Sequence, residues 1–553
     1  MSLLFSPTRS PARRFLLGLS LAFWGAALPL YWPNNGGSGL SLPLNIIAWL
    51  YAALVMGGAF CVLRRHPWRI TTPLRFMLAG TLLLTMLCLL TAAIWRAEAT
   101  LVAGALIGGA LFYLVLLQIP LTGKTLTALL SMLWGASLIQ CLVFLIQYLH
   151  LPLAQLWEFP LWRETRPYGV FQQVNLMASF TASGTLISAV LALRTGPRYR
   201  IAIGIGMVLM GFVVHGCQSQ TGYLALFIGW PLLLLVVPAR QPLFRLLLLL
   251  LLGVAAGEAM HRLLSVATID HLTSASTRWE ILRFSWALIA RHPWSGSGVG
   301  SFPSLFLTQF GHTGLSRISH PHNELILWWV EGGIVGLLGV ACFIAGGLWL
   351  WLTGNIWRRA CLLAGTPVLI HMLTEYPVWQ STPHWLLLII LIRCADRPVQ
   401  GKRLTGTATA TIRITTLILT LLLIPLLLTT LHTQQRLTAL ERRGEQYRLQ
   451  APVPPDAWLL ATRYRFDINM GYLQRYQQTK DERWLLAFRR WATDYVRIHP
   501  DPNVSFTRIL IALHQQDVAT ARQLAARFYL EYPLDRRIAW LQDQRRPFNQ
   551  RND

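Results

Sequence analysis

The sequence predicts an all-α fold, in which a polytopic membrane helix bundle is followed by a helical C-terminal domain. Of the 553 residues, 54% are hydrophobic and only 13% are charged, a composition typical of polytopic membrane proteins. The apolar residues form about thirteen runs, each near the ~20 residues needed to cross a bilayer as a helix. These runs cover, approximately, residues 13–31, 45–63, 73–94, 101–119, 125–149, 172–193, 200–216, 221–237, 243–263, 323–352, 357–373, 382–393 and 411–431.

Basic residues in the loops predict how this bundle is oriented. With the N-terminus in the cytoplasm, every cytoplasmic loop contains Lys or Arg, whereas the opposite loops HGCQSQTG and TEYPVWQSTPH contain neither. The cytoplasmic loops read RRHPWR, LTGK, RTGPRYR, PARQPLFR, TGNIWRR and RCADRPVQGKR. The net charge of +25 therefore follows a membrane pattern and does not indicate a nucleic-acid partner. Arg9, Arg13 and Arg14 precede the apolar core of the first run, which we expect to be a retained helix and not a cleaved signal peptide.

The chain divides into four predicted parts. Transmembrane helices one to nine occupy residues 1–263, a large outer loop occupies 264–322, helices ten to thirteen occupy 323–431, and an outer domain occupies 432–553. In the outer domain, runs such as DERWLLAFRRWATDYVRIH have apolar residues three and four apart and predict amphipathic helices, and PDPNV predicts a break between two of them. Such helix pairs resemble tetratricopeptide packing, although no clean 34-residue repeat is present. This basic domain is either a solvated surface or a contact for anionic head groups or an acidic partner.

Polar residues gather at the outer ends of several predicted helices. Each helix end needs capping, so one polar segment alone means little. Six on one face indicate function, because polar groups at membrane depth are costly. The segments are RETRPYGVFQQVN (163–175), HGCQSQTGY (215–223), STRWEILRFSW (276–286), RHPWSGSGVGSF (291–302), SHPHNELILWWVEGG (319–333) and HMLTEYPVWQSTPH (371–384).

The residue types in these segments favour binding of an anion. The planar guanidinium of Arg166, Arg278 or Arg283 can donate two hydrogen bonds to a phosphate. Asn323 is available to cap the tenth helix, whose N-terminus also attracts an anion, and His322 can accept a proton near neutral pH. This combination predicts transfer of a group from a lipid-linked diphosphate to a hydroxyl at the outer leaflet.

No metal ion or other cofactor is expected at this site. The sequence has no Gly-rich phosphate loop, no HExxH and no paired His and Cys metal spacing. His320 and His322 are two residues apart, and a helix would point them in different directions.

Several spaced motifs resemble those of the O-antigen ligase and polymerase (WaaL/Wzy) superfamily. His322-Asn323, nine residues, Gly333, two residues and Gly336 follow the ligase pattern H-[N/S/Q]-x9-G-x-x-[G/T/Y], and Arg278 followed by HPWSGSGVGSF resembles a second run of the superfamily. RPYGVFQQVNLMAS, HMLTEYPVWQS and the helical outer domain look like PglL-type protein O-oligosaccharyltransferases of Gram-negative bacteria.

This resemblance implies a metal-independent glycosyltransferase of the multi-span C type in the bacterial inner membrane, with the active site and the C-terminal domain in the periplasm. The expected reaction transfers oligosaccharide en bloc from an undecaprenyl-diphosphate carrier to Ser or Thr of a pilin or another exported protein, with inversion. Membrane lipids would be further partners. Ligation to lipid A core and polymerisation of O-antigen repeats stay open, because they share the donor chemistry. A transporter is disfavoured, since the ionisable groups lie at the outer mouth and no inverted repeat is evident.

Two residues are expected to be catalytic. Arg278 would clamp the diphosphate and stabilise the charge of the leaving group, while His322 would accept the proton of the acceptor hydroxyl or align that hydroxyl. Glu375 would orient His322 or bind acceptor, or it could simply end a helix. The other candidates for binding sugar or phosphate are Arg166, Gln173, Asn175, Ser219, Gln220, Arg283, His320, Asn323 and Tyr376.

Some of these residues have competing structural interpretations. The superfamily resemblance includes Ser-Arg in many relatives where this chain has Ser219-Gln220. If that Arg helps to hold the diphosphate, Arg166, Arg278 or an Arg of the C-terminal tail must supply the positive charge here. A structural loop role is favoured for His320, which Pro321 separates from the helix. The glycines of RHPWSGSGVGSF favour a tight turn over a phosphate cradle. Trp328 and Trp329 are expected to be anchors at the membrane interface.

Overall fold

The computed structural model describes residues 11–63, 68–160, 165–266, 271–398 and 401–543. Arg9 and parts of the predicted loops at 64–67, 161–164 and 399–400 lie outside these ranges. Within the described ranges the chain is almost entirely helical, and the strands are Arg69–Ile70 (β1) and Lys402–Arg403 (β2), which pair antiparallel. The predicted all-α class is confirmed.

Helices account for most of the described residues. In chain order they are α1 Pro11–Ser20, α2 Pro43–Val62, α3 Thr72–Leu90, α4 Arg96–Gln118, α5 Gly123–Tyr148, α6 Val174–Ala192, α7 Pro197–Gly216, α8 Gln220–Val236, α9 Arg240–Leu263, α10 His271–Arg291, α11 Phe302–Phe310, α12 Glu324–Thr353, α13 Ile356–Leu363, α14 Thr366–Thr374, α15 Pro377–Gln380, α16 Thr382–Ala395, α17 Gly406–Arg443, α18 Ala461–Thr479, α19 Glu482–Ile498, α20 Pro502–His514, α21 Val518–Glu531 and α22 Arg537–Asp543. Short 3-10 turns lie at Gly39–Ser41, Ala93–Trp95, Pro152–Trp157, Gly311–Thr313, Gln446–Arg448 and Pro455–Leu460.

Among the described residues, nine helices are long and apolar enough to cross a membrane, which makes this a multi-pass membrane protein. They are α2 to α7, α9, α12 and α17. Two further apolar helices, α8 and α16, are shorter. The first predicted run is divided between α1 and a π-helix at Leu21–Ala27, and the eleventh between α13 and α14. The total of about thirteen spans therefore stays a prediction.

The chain folds into two compact units. Unit 1 comprises Met1–Leu82, Gly104–Leu272 and Gly339–Thr438, and unit 2 comprises Leu83–Ala103, Thr273–Leu338 and Ala439–Asp553. Unit 2 therefore contains most of the loop between the ninth and tenth predicted spans and most of the predicted C-terminal domain.

Unit 1 is organised around α6, of which 89% is buried inside the protein. Small side chains allow neighbouring helices to approach it, and a Cβ at Gly184 would lie 2.2 Å from Ser137 Oγ. The same principle joins α7 to α9. A Cβ at Gly211 would lie 2.2 Å from Leu250 O, and one at Gly253 would lie 2.0 Å from Val208 O. The backbones of α7 and α9 are thus in direct contact.

Unit 2 contains the outer helical domain and the outer loop. The domain stacks α18 on α19, α19 on α20 and α20 on α21, as the amphipathic pattern predicts. The predicted break lies between Ile498 and Pro502, where Asp501 caps α20 by accepting from Asn503 N at 2.8 Å. The outer loop carries α10 and α11, and Leu307 of α11 is buried in the apolar core of the outer domain.

Candidate functional site

The segment His320–Glu324, called here the His322 segment, leads into α12. Asn323 Oδ1 accepts from Ile326 N at 3.1 Å, which confirms the predicted cap. His322 has a φ of 58°, a left-handed conformation that side-chain-bearing residues rarely adopt. Its N–H donates to His320 Nδ1 at 2.9 Å, so a side chain two residues upstream closes the turn and holds this conformation. The segment fixes His322 immediately before a helix N-terminus.

His320 is the support of this turn. It is 5% exposed, and because Nδ1 accepts from the backbone, the ring proton lies on Nε2, which faces Glu324 Oε1 at 3.8 Å. Burial, with a smaller contribution from His322, lowers the pKa of His320 well below its ordinary value. His320 therefore stays neutral and keeps accepting at neutral pH. The prediction that a helix points the rings of His320 and His322 in different directions was wrong in its assumption, because neither histidine lies in a helix. Binding of substrate by His320 stays a prediction.

α12 is broken at Gly333, the first glycine of the pattern H-[N/S/Q]-x9-G-x-x-[G/T/Y], and this break requires a glycine. Gly333 has φ 57° and ψ −147°, a combination reserved for glycine, and a Cβ there would lie 2.2 Å from Trp294 O. The backbone groups released by the break bond to the preceding loop. Ser297 N donates to Val330 O at 2.9 Å, Gly298 N donates to Glu331 O at 2.9 Å, and Ile334 N donates to Trp294 O at 3.2 Å. The loop and the broken helix complete each other's hydrogen bonds.

The glycines of the loop before α11 allow it to pack closely against the break in α12. Gly296, Gly298 and Gly300 have φ of 67°, 100° and 87°, and a Cβ at Gly296 would lie 2.3 Å from Glu331 O. The tight-turn interpretation is confirmed. Trp328 is only 7% exposed, so its predicted role as an interface anchor was wrong, because the broken helix turns this residue into the protein.

Glu331 was missed at the sequence level. Its side chain is 4% exposed, and Oε1 accepts from Phe302 N at 3.0 Å, at the first residue of α11. A carboxylate at a helix N-terminus satisfies free N–H groups and the helix dipole. Its position two residues before Gly333 did not reveal this role, which depends on the returning chain.

The two predicted arginines of the outer loop lie on α10. Arg278 is half-buried, and Arg283 is exposed with its guanidinium carbon 5.0 Å from the centre of the Phe284 ring. Both residues belong to unit 2, as does the His322 segment. Their roles toward a phosphate stay predictions.

Unit 1 brings four predicted residues into one network, called here the Glu375 network. Glu375 is 5% exposed and accepts from Gln173 Nε2 at 2.8 Å and from Asn175 Nδ2 at 2.5 Å. Ser219 Oγ donates to Asn175 Oδ1 at 2.6 Å. Gln173 also caps α6 by accepting from Leu176 N at 2.6 Å, and Ser219 caps α8. The network therefore joins the ends of α6, α8 and α14.

His371 extends this network and was not predicted as a site residue. It is fully buried, with Nε2 3.2 Å from Glu375 Oε2 and Nδ1 2.8 Å from Ser179 Oγ. The spacing of four residues between His371 and Glu375 on a predicted helix could have revealed the pair. Glu375 does end α14, and its backbone N–H donates to His371 O at 2.7 Å. The structural interpretation of Glu375 as the end of a helix is confirmed, whereas its role toward His322 or an acceptor stays a prediction.

The other predicted residues of unit 1 lie around this network. Arg166 Nη1 donates to Cys217 O at 3.4 Å, and partial burial lowers the pKa of its guanidinium while the charge of Glu375 opposes that shift. Gln220 is exposed at the first residue of α8, and Tyr376 is half-buried before α15. Among the described residues, no group of three or more His, Cys, Asp or Glu is arranged to hold a metal ion.

A second polar network of unit 1 was also missed. His261 lies between Tyr148 OH, 2.9 Å from Nδ1, and Gln218 Nε2, 2.8 Å from Nε2. His215 lies 3.2 Å from a carboxylate oxygen of Glu258. These residues lie at or beside the ends of α5, α7 and α9, so the network connects the ends of three helices.

Two parts of the chain match known families. Residues 205–341 match the family model described as O-antigen ligase, and residues 360–546 match the model described as virulence factor membrane-bound polymerase, C-terminal. The two matches support membership in the O-antigen ligase and polymerase superfamily. No curated protein and no solved structure matches the chain. The ligase match includes the His322 segment, Arg278 and Ser219, and the polymerase match includes Glu375 and most of the outer domain. The superfamily implies a lipid-linked oligosaccharide as the donor and a membrane as the setting of the reaction.

Proposed function

We propose that this protein transfers oligosaccharide en bloc from undecaprenyl diphosphate to Ser or Thr hydroxyls of a pilin or another exported protein, at the periplasmic face of the inner membrane. The observation that carries the proposal is the His322 segment. A histidine in a constrained left-handed turn stands at the head of a membrane helix, within the region that matches O-antigen ligases. A turn of this kind is costly, and such strain is typical of functional residues.

In this mechanism His322 is the base. Its imidazole accepts the proton of the acceptor hydroxyl while that oxygen attacks the anomeric carbon of the glycan in line with the leaving group. The bond from the anomeric carbon to the phosphate oxygen breaks, and the diphosphate leaves with the electron pair. A single displacement inverts the anomeric configuration.

Positive charge is needed for the leaving group. We assign this role to Arg278, which would stabilise the charge that develops on the diphosphate, with Arg166 or Arg283 as further partners. Gln220 stands where many relatives have Arg, so this chain would depend more heavily on these three.

The Glu375 network would hold the acceptor or sugar side of the reaction. Gln173, Asn175, Ser219 and Glu375 already bond to one another, so we expect them to keep a shared framework in which a few outward groups meet substrate. Tyr376, beside Glu375, would contribute an aromatic face to a sugar ring.

Polymerisation of glycan repeats is the second candidate. The observation in its favour is the match of residues 360–546 to the C-terminal part of membrane-bound polymerases, because this region includes the outer helical domain. Ligation to lipid A core is a third outcome of the same chemistry. The acceptor alone distinguishes the three.

The test is a transfer assay with purified protein, undecaprenyl-diphosphate oligosaccharide and EDTA, in which a pilin and lipid A core are offered in parallel. We expect glycosylated pilin with inverted linkage. His322→Ala should reduce turnover at least ~100-fold, since general base catalysis contributes about 10²–10⁴. Arg278→Ala should also lose transfer activity, while the control variants His312→Ala and Arg490→Ala, at exposed positions, should retain full activity.

Other outcomes would contradict the proposal. Transfer only to lipid A core would make the protein a ligase, and lengthened glycan chains would make it a polymerase. A retained anomeric configuration would refute single displacement. Full activity of His322→Ala would remove the histidine from the mechanism.

A further inference from the structure

One surface of unit 2 combines exposed tryptophans with arginines. Trp279 and Trp286 lie on α10 and are 70% and 54% exposed, and Trp294 follows the helix and is 75% exposed. Arg283 and Arg291 are exposed on the same helix. Residues 279, 283, 286 and 290 recur at intervals of three and four, so they form a single stripe. We call Trp279, Arg283, Trp286, Arg291 and Trp294 the Trp-Arg surface.

The opposite face of α10 is already used for packing. Ile281, Leu288 and Ile289 are at most 5% exposed. The helix thus buries one apolar face in the protein while a second apolar face points outward. In water, three such tryptophans would expose a substantial apolar area, which soluble surfaces rarely do.

The break in α12 locates this surface relative to the bilayer. After Gly333, the stretch from Ile334 to Thr353 has twenty residues and no charge, so at 1.5 Å per residue it matches the ~30 Å hydrocarbon core. The outer edge of that core then lies near Ile334. Ile334 N donates to Trp294 O at 3.2 Å, and Trp286 stacks edge-on against Trp329 of α12 with ring centres 5.1 Å apart. Two of the three tryptophans are therefore tied to the part of α12 that meets the edge of the bilayer.

We propose that the Trp-Arg surface lies in the head-group layer of the outer leaflet and binds the phosphates of bilayer lipids. Tryptophan prefers this depth, because its ring is apolar and its N–H needs a polar partner. Arg283 and Arg291 complement lipid phosphates, and a basic aromatic helix of this kind lies in the plane of the interface. If the proposed function holds, Arg278 of α10 is thereby kept at the depth where the donor's diphosphate travels.

The first experiment measures depth and needs no activity. A nitroxide is attached to Ala290→Cys, on the stripe, or to Ala519→Cys, an exposed alanine on α21, in vesicles of phosphatidylethanolamine and phosphatidylglycerol. Protein without the added cysteine provides the background from native cysteines. We expect oxygen to relax the label at 290 more than a water-soluble nickel chelate does, and the reverse at 519. Equal access of the chelate at both positions would overturn the proposal.

The second experiment removes the surface. Substituting Trp279, Trp286 and Trp294 by Ser should make the label at 290 more accessible to the chelate. With the native arginines, we expect this label to lie deeper in vesicles that contain the anionic lipid phosphatidylglycerol than in vesicles without it, and Arg283→Gln with Arg291→Gln should abolish that difference. An unchanged depth in the Ser variant would contradict anchoring by tryptophan. An unchanged lipid dependence in the Gln variant would contradict phosphate binding.

The consequence for the donor is tested separately. The Trp279→Ala, Trp286→Ala double variant should raise the KM for the undecaprenyl donor about tenfold with little change in kcat, and should leave KM unchanged for a short-chain donor that dissolves in water. Equal effects on both donors would refute delivery along the interface. A wild-type protein without any transfer would refute the proposed function, while the depth measurement would still decide this inference.

Discussion

The His322 segment and the Glu375 network both lie at the ends of membrane helices, yet they use their polar groups differently. In the Glu375 network, carboxylate, amides, hydroxyl and imidazole bond to one another and cap α6 and α8. In the His322 segment, the bonds of His320 and Asn323 hold the backbone around His322. A framework that satisfies itself stabilises the bundle, whereas a constrained turn presents one side chain. The comparison teaches that polar density alone does not distinguish support from chemistry.

The largest expected effect concerns the break in α12 at Gly333. Gly333→Ala forces an L side chain into a glycine-only conformation and against Trp294 O, and backbone strain of this kind costs about 1–3 kcal/mol before the steric clash is added. Thermal unfolding in detergent should show a clear loss of stability, and transfer activity should fall with it. The matched control is Gly347→Ala in the same helix, where a Cβ meets nothing within 4 Å. Equal stability of the two variants would show that the fold does not require the glycine-only conformation at position 333.

The next effect tests the Glu375 network as a framework. Glu375→Gln replaces an acceptor oxygen by an N–H₂ group, which faces the N–H₂ groups of Gln173 and Asn175. Those two amides cannot rotate to offer their oxygens instead, because the oxygen of Gln173 already accepts from Leu176 N and that of Asn175 accepts from Ser219 Oγ. We expect the free energy of unfolding to fall by about 1–3 kcal/mol, the cost of an unsatisfied buried group. Thermal unfolding compared with the exposed substitution Glu280→Gln measures it. A loss of activity with unchanged stability would instead mark Glu375 as a substrate ligand.

The smallest effect is a dependence on pH that belongs to His320. Its pKa is lower in the folded than in the unfolded protein, so the unfolded state binds more protons between the two values. Stability should then be constant above the unfolded pKa of about 6.5 and decrease as the pH falls below it. His320→Asn should flatten this decrease, because an Asn side chain can accept from the N–H two residues on and does not titrate. His312→Asn, at an exposed position, should leave the slope unchanged, and an equal slope in both variants would remove His320 as its source.

The sequence predicted the membrane-bundle class, the helical tail with its break at PDPNV and the cap by Asn323. These follow from composition, periodicity and local capping, which depend on neighbours along the chain. The break at Gly333 and the caps made by Glu331 and His320 depend on chain returning from elsewhere or on an unusual backbone angle, and no local pattern encodes them. The motif marked Gly333 as important but gave no reason. The prediction that Trp328 is an interface anchor was wrong for the same reason, because it assumed that α12 is straight.

The backbones of Gly296 and Gly333 pack directly against each other. A Cβ on Gly296 would lie 2.5 Å from Gly333 N, and a Cβ on Gly333 would lie 2.6 Å from Gly296 N. Either substitution alone must push the same two backbones apart, and once they have separated the second meets less resistance. The two changes should therefore be sub-additive in a double-mutant cycle, since they share one rearrangement. In thermodynamic terms the loop and the helix are a single site, although their glycines, at 296 and 333, are 37 positions apart in the sequence.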